Sequence, residues 1–122
     1  ADHVEMEASL LFSAMGVSAD LQFWARFTDA LMPADDLADV ADVSGEAASD
    51  TDRREARKAI EAIRVIRKSA ARDETADTPG LYYHALMYEA LRAAGSRSKE
   101  HFRRWHALIT AAQLLERLTT MP

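Results

Sequence analysis

Cysteine is absent from all 122 residues. That removes disulfides, thiolate nucleophiles and thiolate metal ligands together, and it fits a reducing compartment. Glycine and proline are scarce, at four and three residues. No glycine-rich phosphate cradle can be built from them, and neither a G-x-x-x-x-G-K-[ST] loop nor a G-x-S-x-G elbow occurs. Aromatic residues make up 7% of the chain. Much of the apolar content is alanine, so the expected core is one of thin, closely approached helices. No apolar run reaches the roughly 18 residues of a bilayer span. The opening Ala1-Asp2-His3-Val4-Glu5 lacks the basic region of a secretory signal. A cytoplasmic protein with no membrane partner is the expectation.

The first fifty residues also lack base. They carry eleven carboxylates and a single cation, Arg26, for a net charge of −10, whereas residues 51 to 122 carry nine carboxylates and fourteen cations, for +5. The overall charge of −5 conceals this split. Charge asymmetry between halves points to electrostatics within the fold or against a partner.

The few glycines and prolines fall between helix-sized pieces. Val4, Ala8, Leu11, Phe12 and Met15 share a face at helical spacing. Gly16 suits the left-handed residue that often closes a helix, and Ser18 suits an N-cap. The next helix presents Phe23, Trp24, Phe27 and Leu31, and Pro33 stops it. Residues 33 to 52 carry Leu37, Val40 and Val43 among aspartates. A short acidic helix from about 34 to 42, followed by a loop, is expected there.

Asp52-x-x-Glu55 resembles a capping box opening the longest helix, roughly 52 to 73. Ala56, Ala59, Ile63, Ile66 and Ala70 form its apolar side. Arg53, Arg54, Arg57, Lys58, Arg64, Lys68 and Arg72 lie opposite. A polar loop over 73 to 78 leads to Thr78-Pro79, a cap followed by proline at the first helical position. Tyr83, Met87, Ala90, Leu91 and Ala94 are the expected buried stripe of the next helix, which ends at Gly95. Ser96 or Ser98 caps the last helix, whose apolar arc is Phe102, Trp105, Leu108, Ile109, Ala112 and Leu115. The arc is broad enough to place that helix centrally or to form a partner surface. The whole reads as one all-α domain over residues 1 to 122, a small bundle or orthogonal array of four to five helices.

Two charged surfaces are the candidate sites. The acidic one comprises Asp35, Asp36, Asp39, Asp42, Glu46 and Asp50. Carboxylates at such density can occupy the basic cleft of another macromolecule, as inhibitors and immunity proteins do, because opposite potentials steer association. The basic one is the helix 53–72, with Arg53, Arg57, Arg64 and Lys68 placed to lie along a phosphate backbone. It has no interleaved aromatics for base stacking. The alternatives are an ordinary solvated face in either case, or an acidic segment folded back onto the basic helix. A helix-turn-helix over 37–58 fails because Glu46 and Thr51 stand where apolar residues belong and aspartates would face phosphate.

The histidines offer little chemistry. His101 lies near the centre of the last apolar arc and His106 at its margin. Five residues apart on a helix, they are separated by about 140° and cannot share an ion as an i, i+4 pair can. A His84, Glu89 and His101 site needs tertiary proximity. Trp24 with Phe23 and Phe27, and Trp105 with Phe102, read as core anchors. Met6, Leu10, Leu114 and Leu118 fall off the main faces as surplus apolar surface, which favours a homodimer. The expectation is a non-enzymatic regulator or adaptor with no catalytic, metal or cofactor site. Its partner is a protein, and the alternative is a nucleic-acid accessory factor.

Overall fold

Each apolar stripe becomes a helix. The computed structural model describes residues 2–72 and 79–121, and it is an all-helical bundle of five packed α-helices with no strand among the described residues. The expected 73–78 loop and Thr78 cap lie outside the described residues.

Helix α1 (Asp2–Ser9) continues into a π-helical turn, Leu10–Ala14. The Met15 amide closes that turn on the Leu10 carbonyl at 2.8 Å. Val4, Ala8, Leu11, Phe12 and Met15 are all buried, as their spacing requires. The expected left-handed Gly16 is not found, since no glycine among the described residues has a positive φ. The turn ends because Met15 becomes extended (φ −70°, ψ 135°). Gly16 serves a close approach instead, because a Cβ there would lie 3.2 Å from a Glu55 carboxylate oxygen. The open carbonyls at this end are satisfied by cations. Lys99 Nζ donates to Phe12 O (3.1 Å) and Ser13 Oγ (2.8 Å), and Arg103 donates to Met15 O (3.0 Å).

Helix α2 (Leu21–Ala30) is capped by Asp20, not Ser18: the Asp20 carboxylate accepts from the Phe23 amide at 3.2 Å. Ser18 has a longer-range task. Its hydroxyl donates to Asp52 Oδ2 (2.8 Å) and accepts from Trp24 Nε1 (3.1 Å), tying α2 to the start of the next long helix. Phe23, Trp24, Phe27 and Leu31 are buried together, with edge-on ring contacts from Trp24 to Phe23 and Phe27.

The helix expected over 34–42 does not form. Turns and extended backbone occupy this stretch, and Ser44–Glu46 makes a single 3₁₀ turn. Asp36 and Asp42 accept from the amides two residues ahead (Ala38, 3.0 Å; Ser44, 2.9 Å), a local bond that competes with helix. Leu37 and Val40 still reach the core, and their carbonyls are taken by Arg67 and Arg64.

Helix α3 (Asp50–Arg72) begins two residues earlier than expected. Ser49 Oγ accepts from the Asp52 amide at 3.0 Å, so Ser49 supplies the cap and Asp52 is instead buried against Ser18. Ala56, Ala59, Ile60, Ile63 and Ala70 are buried, Ile66 only partly.

Helices α4 (Pro79–Ala94) and α5 (His101–Thr120) make the most extensive helix pair, and a six-residue connection sets them antiparallel. The stripe expected on α4 holds at Tyr83 and Ala90, with Met87 and Ala94 half-buried, and fails at Leu91, whereas the arc expected on α5 is overturned. On α4, Tyr82, Tyr83, Leu86, Ala90 and Ala93 are buried while Leu91 is exposed. On α5, the core takes His106, Ala107, Thr110, Ala111 and Leu114, and Trp105, Leu108 and Leu115 face outward. The small inward residues let α5 lie close against α2, where Gln113 accepts from Thr28 (2.7 Å) and donates to the Ala25 carbonyl (2.8 Å).

Candidate functional site: an arginine-anchored acidic surface and an outward apolar face

Arg67 is the most connected side chain of the charged network, and it is buried. Its Nε and Nη2 donate to the two carboxylate oxygens of Glu7, at 2.8 Å each. Its Nη1 donates to the Leu31 and Leu37 carbonyls. Tyr82 Oη adds a third donor to Glu7 at 2.8 Å, and Tyr83 Oη donates to the Pro33 carbonyl at 2.6 Å. The guanidinium also stands 5.5 Å from both tyrosine ring centres. Burial alone would push Arg67 down; the charge and hydrogen bonds of Glu7 outweigh that and hold it above the usual arginine range. Burial, then the Glu7 charge, raises Tyr82 well beyond the ordinary phenol range. Burial pushes Tyr83 up to about 12.

This network joins α1, α3, α4 and the start of the acidic segment. Two further arginines of α3 act on the same segment. Arg64 donates to the Val40 carbonyl (2.8 Å) and Arg53 to the Ala47 carbonyl (3.1 Å). The segment's main chain is therefore held by Arg53, Arg64 and Arg67 at 47, 40 and 37. Asp35, Asp36, Asp39, Asp42, Glu46 and Asp50 are all exposed. Some have local partners. Glu46 pairs with Arg26 at 3.3 Å, and Asp50 pairs with Arg53. The Ser44 hydrogen bonds, then the charges of Arg57 and Arg64, hold Asp42 below the usual carboxylate range.

The four nominated cations are thus divided. Arg53 and Arg64 are half-buried and engaged with the acidic segment, whereas Arg57 and Lys68 are exposed. With Arg54, Lys58 and Arg72 the exposed pair forms a stripe along α3, interrupted by Glu61 and Val65.

The second surface belongs to α4 and α5. Leu81, Tyr88 and Leu91 of α4 and Trp105, Leu108 and Leu115 of α5 are between 44% and 65% exposed. His84 and Ala112 fill gaps in the same rows, and His84 meets Tyr88 edge-on at 5.1 Å. A cleft of about 320 Å³ opens at one end between Ala94, His101, Arg104, Trp105 and Leu108.

The histidines exchange their expected places: His101 is exposed and His106 is buried. His106 lies between the Phe12 and Trp24 rings, its Nε2 without a hydrogen-bond partner. Burial lowers it to about 4, against a hydrogen bond with the Trp24 backbone and with some help from the Arg103 charge. Among the described residues no three of His, Asp and Glu converge to hold a metal ion, so His84, Glu89 and His101 do not assemble; Glu89 pairs with Arg92 at 3.5 Å. No helix of the described residues is long and apolar enough to cross a membrane.

Sequence reasoning missed Glu7 and Arg67. The available signal was a charge inside an apolar row: Glu7 between Val4 and Leu11, Arg67 between Ile63 and Ala70. No protein-family model, curated protein or solved structure matches this chain.

Proposed function

We propose that this chain is a non-enzymatic helical regulator or adaptor that binds the basic surface of another protein through the carboxylates of residues 35 to 50. One observation supports this above the others. The segment's backbone is anchored by three α3 arginines, while its six carboxylates stand exposed. An acidic surface presented this way loses little conformational freedom on docking, which lowers the cost of association. Its potential steers a cationic partner and speeds encounter. An inhibitor or immunity-type protein is the concrete version.

Binding of nucleic acid through α3 is the alternative. It has less support, because Arg53 and Arg64 are engaged with the acidic segment and Asp42 lies within the field of Arg57 and Arg64. Polyanions approaching this helix also meet the acidic rim.

The deciding experiment compares the wild-type chain with a variant carrying Asp35→Lys, Asp36→Lys, Asp39→Lys and Asp42→Lys. Each is immobilised and challenged with extract from its own source at about 50 and 200 mM salt, a range that spans strong and weak screening. A cationic protein retained by the wild type at low salt and lost by the variant, with helical circular dichroism unchanged, supports the proposal. Equal retention by both removes it. Salt-sensitive anisotropy with duplex DNA or single-stranded RNA, abolished by Arg54→Ala, Arg57→Ala and Lys58→Ala, would move the function to the basic stripe.

A further inference from the structure

Helices α4 and α5 each carry two apolar rows where one suffices for the core. The inward rows are Tyr82, Tyr83, Leu86, Ala90 and Ala93, and His106, Ala107, Thr110, Ala111 and Leu114. The outward rows are Leu81, His84, Tyr88 and Leu91, and His101, Trp105, Leu108, Ala112 and Leu115, all exposed. Steps of three and four alternate along both outward rows. That is the 3.5-residue period of a helix seam that packs on another helix. A helix apolar on opposite sides belongs between two layers, and only one layer is present among the described residues.

We propose that the missing layer is a second copy of this chain, joined through the α4/α5 face into a four-helix interface.

Six large apolar side chains stand 44–65% open on one helix pair, a grouping of the kind that marks an interaction site on a protein surface. Its shape fits the same occupant. The antiparallel pair presents two parallel seams side by side. One added helix can fill only the groove between them, whereas another two-seam face covers both and builds the packing of an antiparallel bundle. Ala112, in the middle of its row, leaves room for close approach.

The rim charges are also self-complementary. Arg104 stands at the connection end of the pair, near Arg92 in its pair with Glu89, and Glu116 stands at the other end. A twofold axis crossing the helices brings the basic end of one copy beside Glu116 of the next, as an isologous contact requires. The inference is independent of the acidic-surface proposal, since none of the six carboxylates belongs to this face.

The test is sedimentation equilibrium of the full chain from about 1 to 200 μM. The expected result is a concentration-dependent mass approaching twice the 13.6 kDa of one chain. Leu91→Glu with Leu108→Glu should raise the dimer dissociation constant at least tenfold. Leu115→Lys alone should act in the same direction, and Val65→Glu, on the exposed side of α3, should leave it unchanged. All four positions are exposed, so helical circular dichroism should stay at the wild-type level. A single-chain mass at every wild-type concentration overturns the proposal. So does a dimer that Leu115→Lys and the double variant leave equally tight.

Discussion

Arg67 reaches across sixty residues of chain to grip both oxygens of the Glu7 carboxylate with the two members fully buried. Paired, and supplied with Tyr82 and two backbone carbonyls, the charges satisfy one another. Separated, each is a charge in an apolar interior. Breaking such a pair costs about 3–5 kcal/mol, while replacing both ends by apolar groups of similar size is often close to neutral.

Arg67→Met should therefore destabilise the fold by about 3–5 kcal/mol, because it strands the Glu7 carboxylate and frees the Leu31 and Leu37 carbonyls. Adding Glu7→Leu to that variant should recover more than half of the loss, a non-additivity expected of residues in contact. Urea unfolding midpoints of the two single variants and the double variant make the comparison. A single-variant loss below about 1 kcal/mol would show that the pair is dispensable.

The two neighbouring phenols should differ in cost. Tyr82→Phe removes a donor to a buried carboxylate, worth about 1.5–3 kcal/mol, and Tyr83→Phe removes one to the neutral Pro33 carbonyl, worth about 1 kcal/mol. The expected order in thermal unfolding is wild type, then Tyr83→Phe, then Tyr82→Phe. The reverse order would mean that Arg67 alone satisfies Glu7.

The fold class was legible in the sequence because helical periodicity marks each of the five helices, and α2's Phe23, Trp24, Phe27 and Leu31 bury as their spacing requires. Two features were not. On α4 and α5 apolar residues occupy both sides, so spacing identifies helices without saying which side turns inward; the bulkier Trp105–Leu108–Leu115 row was the natural choice, and the core took the smaller Ala107–Ala111 row. The acidic segment fails as a helix partly through the local Asp36 and Asp42 bonds to the amides two residues ahead and partly for a reason held elsewhere in the chain. Arg64 and Arg67 take the Val40 and Leu37 carbonyls, and nothing local to 34–42 announces them. All six nominated carboxylates are exposed, as charged side chains outside the apolar rows should be.

Gly45 should tolerate a side chain with profit. It lies in the Ser44–Glu46 turn without a positive φ, and a Cβ there meets nothing within 4 Å. Gly45→Ala restricts the unfolded chain at no cost to the folded one, a gain of about 0.4–1 kcal/mol. The thermal midpoint should rise by about 2–4 °C. A fall would mean that the turn needs backbone freedom that the folded conformation does not display.

His106 makes stability depend on pH in a defined window. The fold accommodates the neutral imidazole, wedged between Phe12 and Trp24 near the Arg103 charge, and takes up a proton only near pH 4. In the unfolded chain the same group titrates at about 6.5. Above that value both states are neutral and the contribution is whole. As pH falls from about 6.5 to 4 the unfolded state binds a proton that the native state refuses, so stability drops, by about 3 kcal/mol at the lower end. Asp42 and Asp50, both held below their usual range by hydrogen bonds and neighbouring arginines, add their losses only at lower pH still. The two effects are separable. His106→Leu should flatten the unfolding free energy between pH 6.5 and 4 and leave the steeper acid limb in place. It also removes the unpartnered Nε2, whose desolvation costs about 1–3 kcal/mol, which offsets part of the packing lost. Denaturant titrations at pH 7, 5.5 and 4 on both chains make the comparison. A wild-type slope that persists in the variant would assign the pH dependence to carboxylates alone.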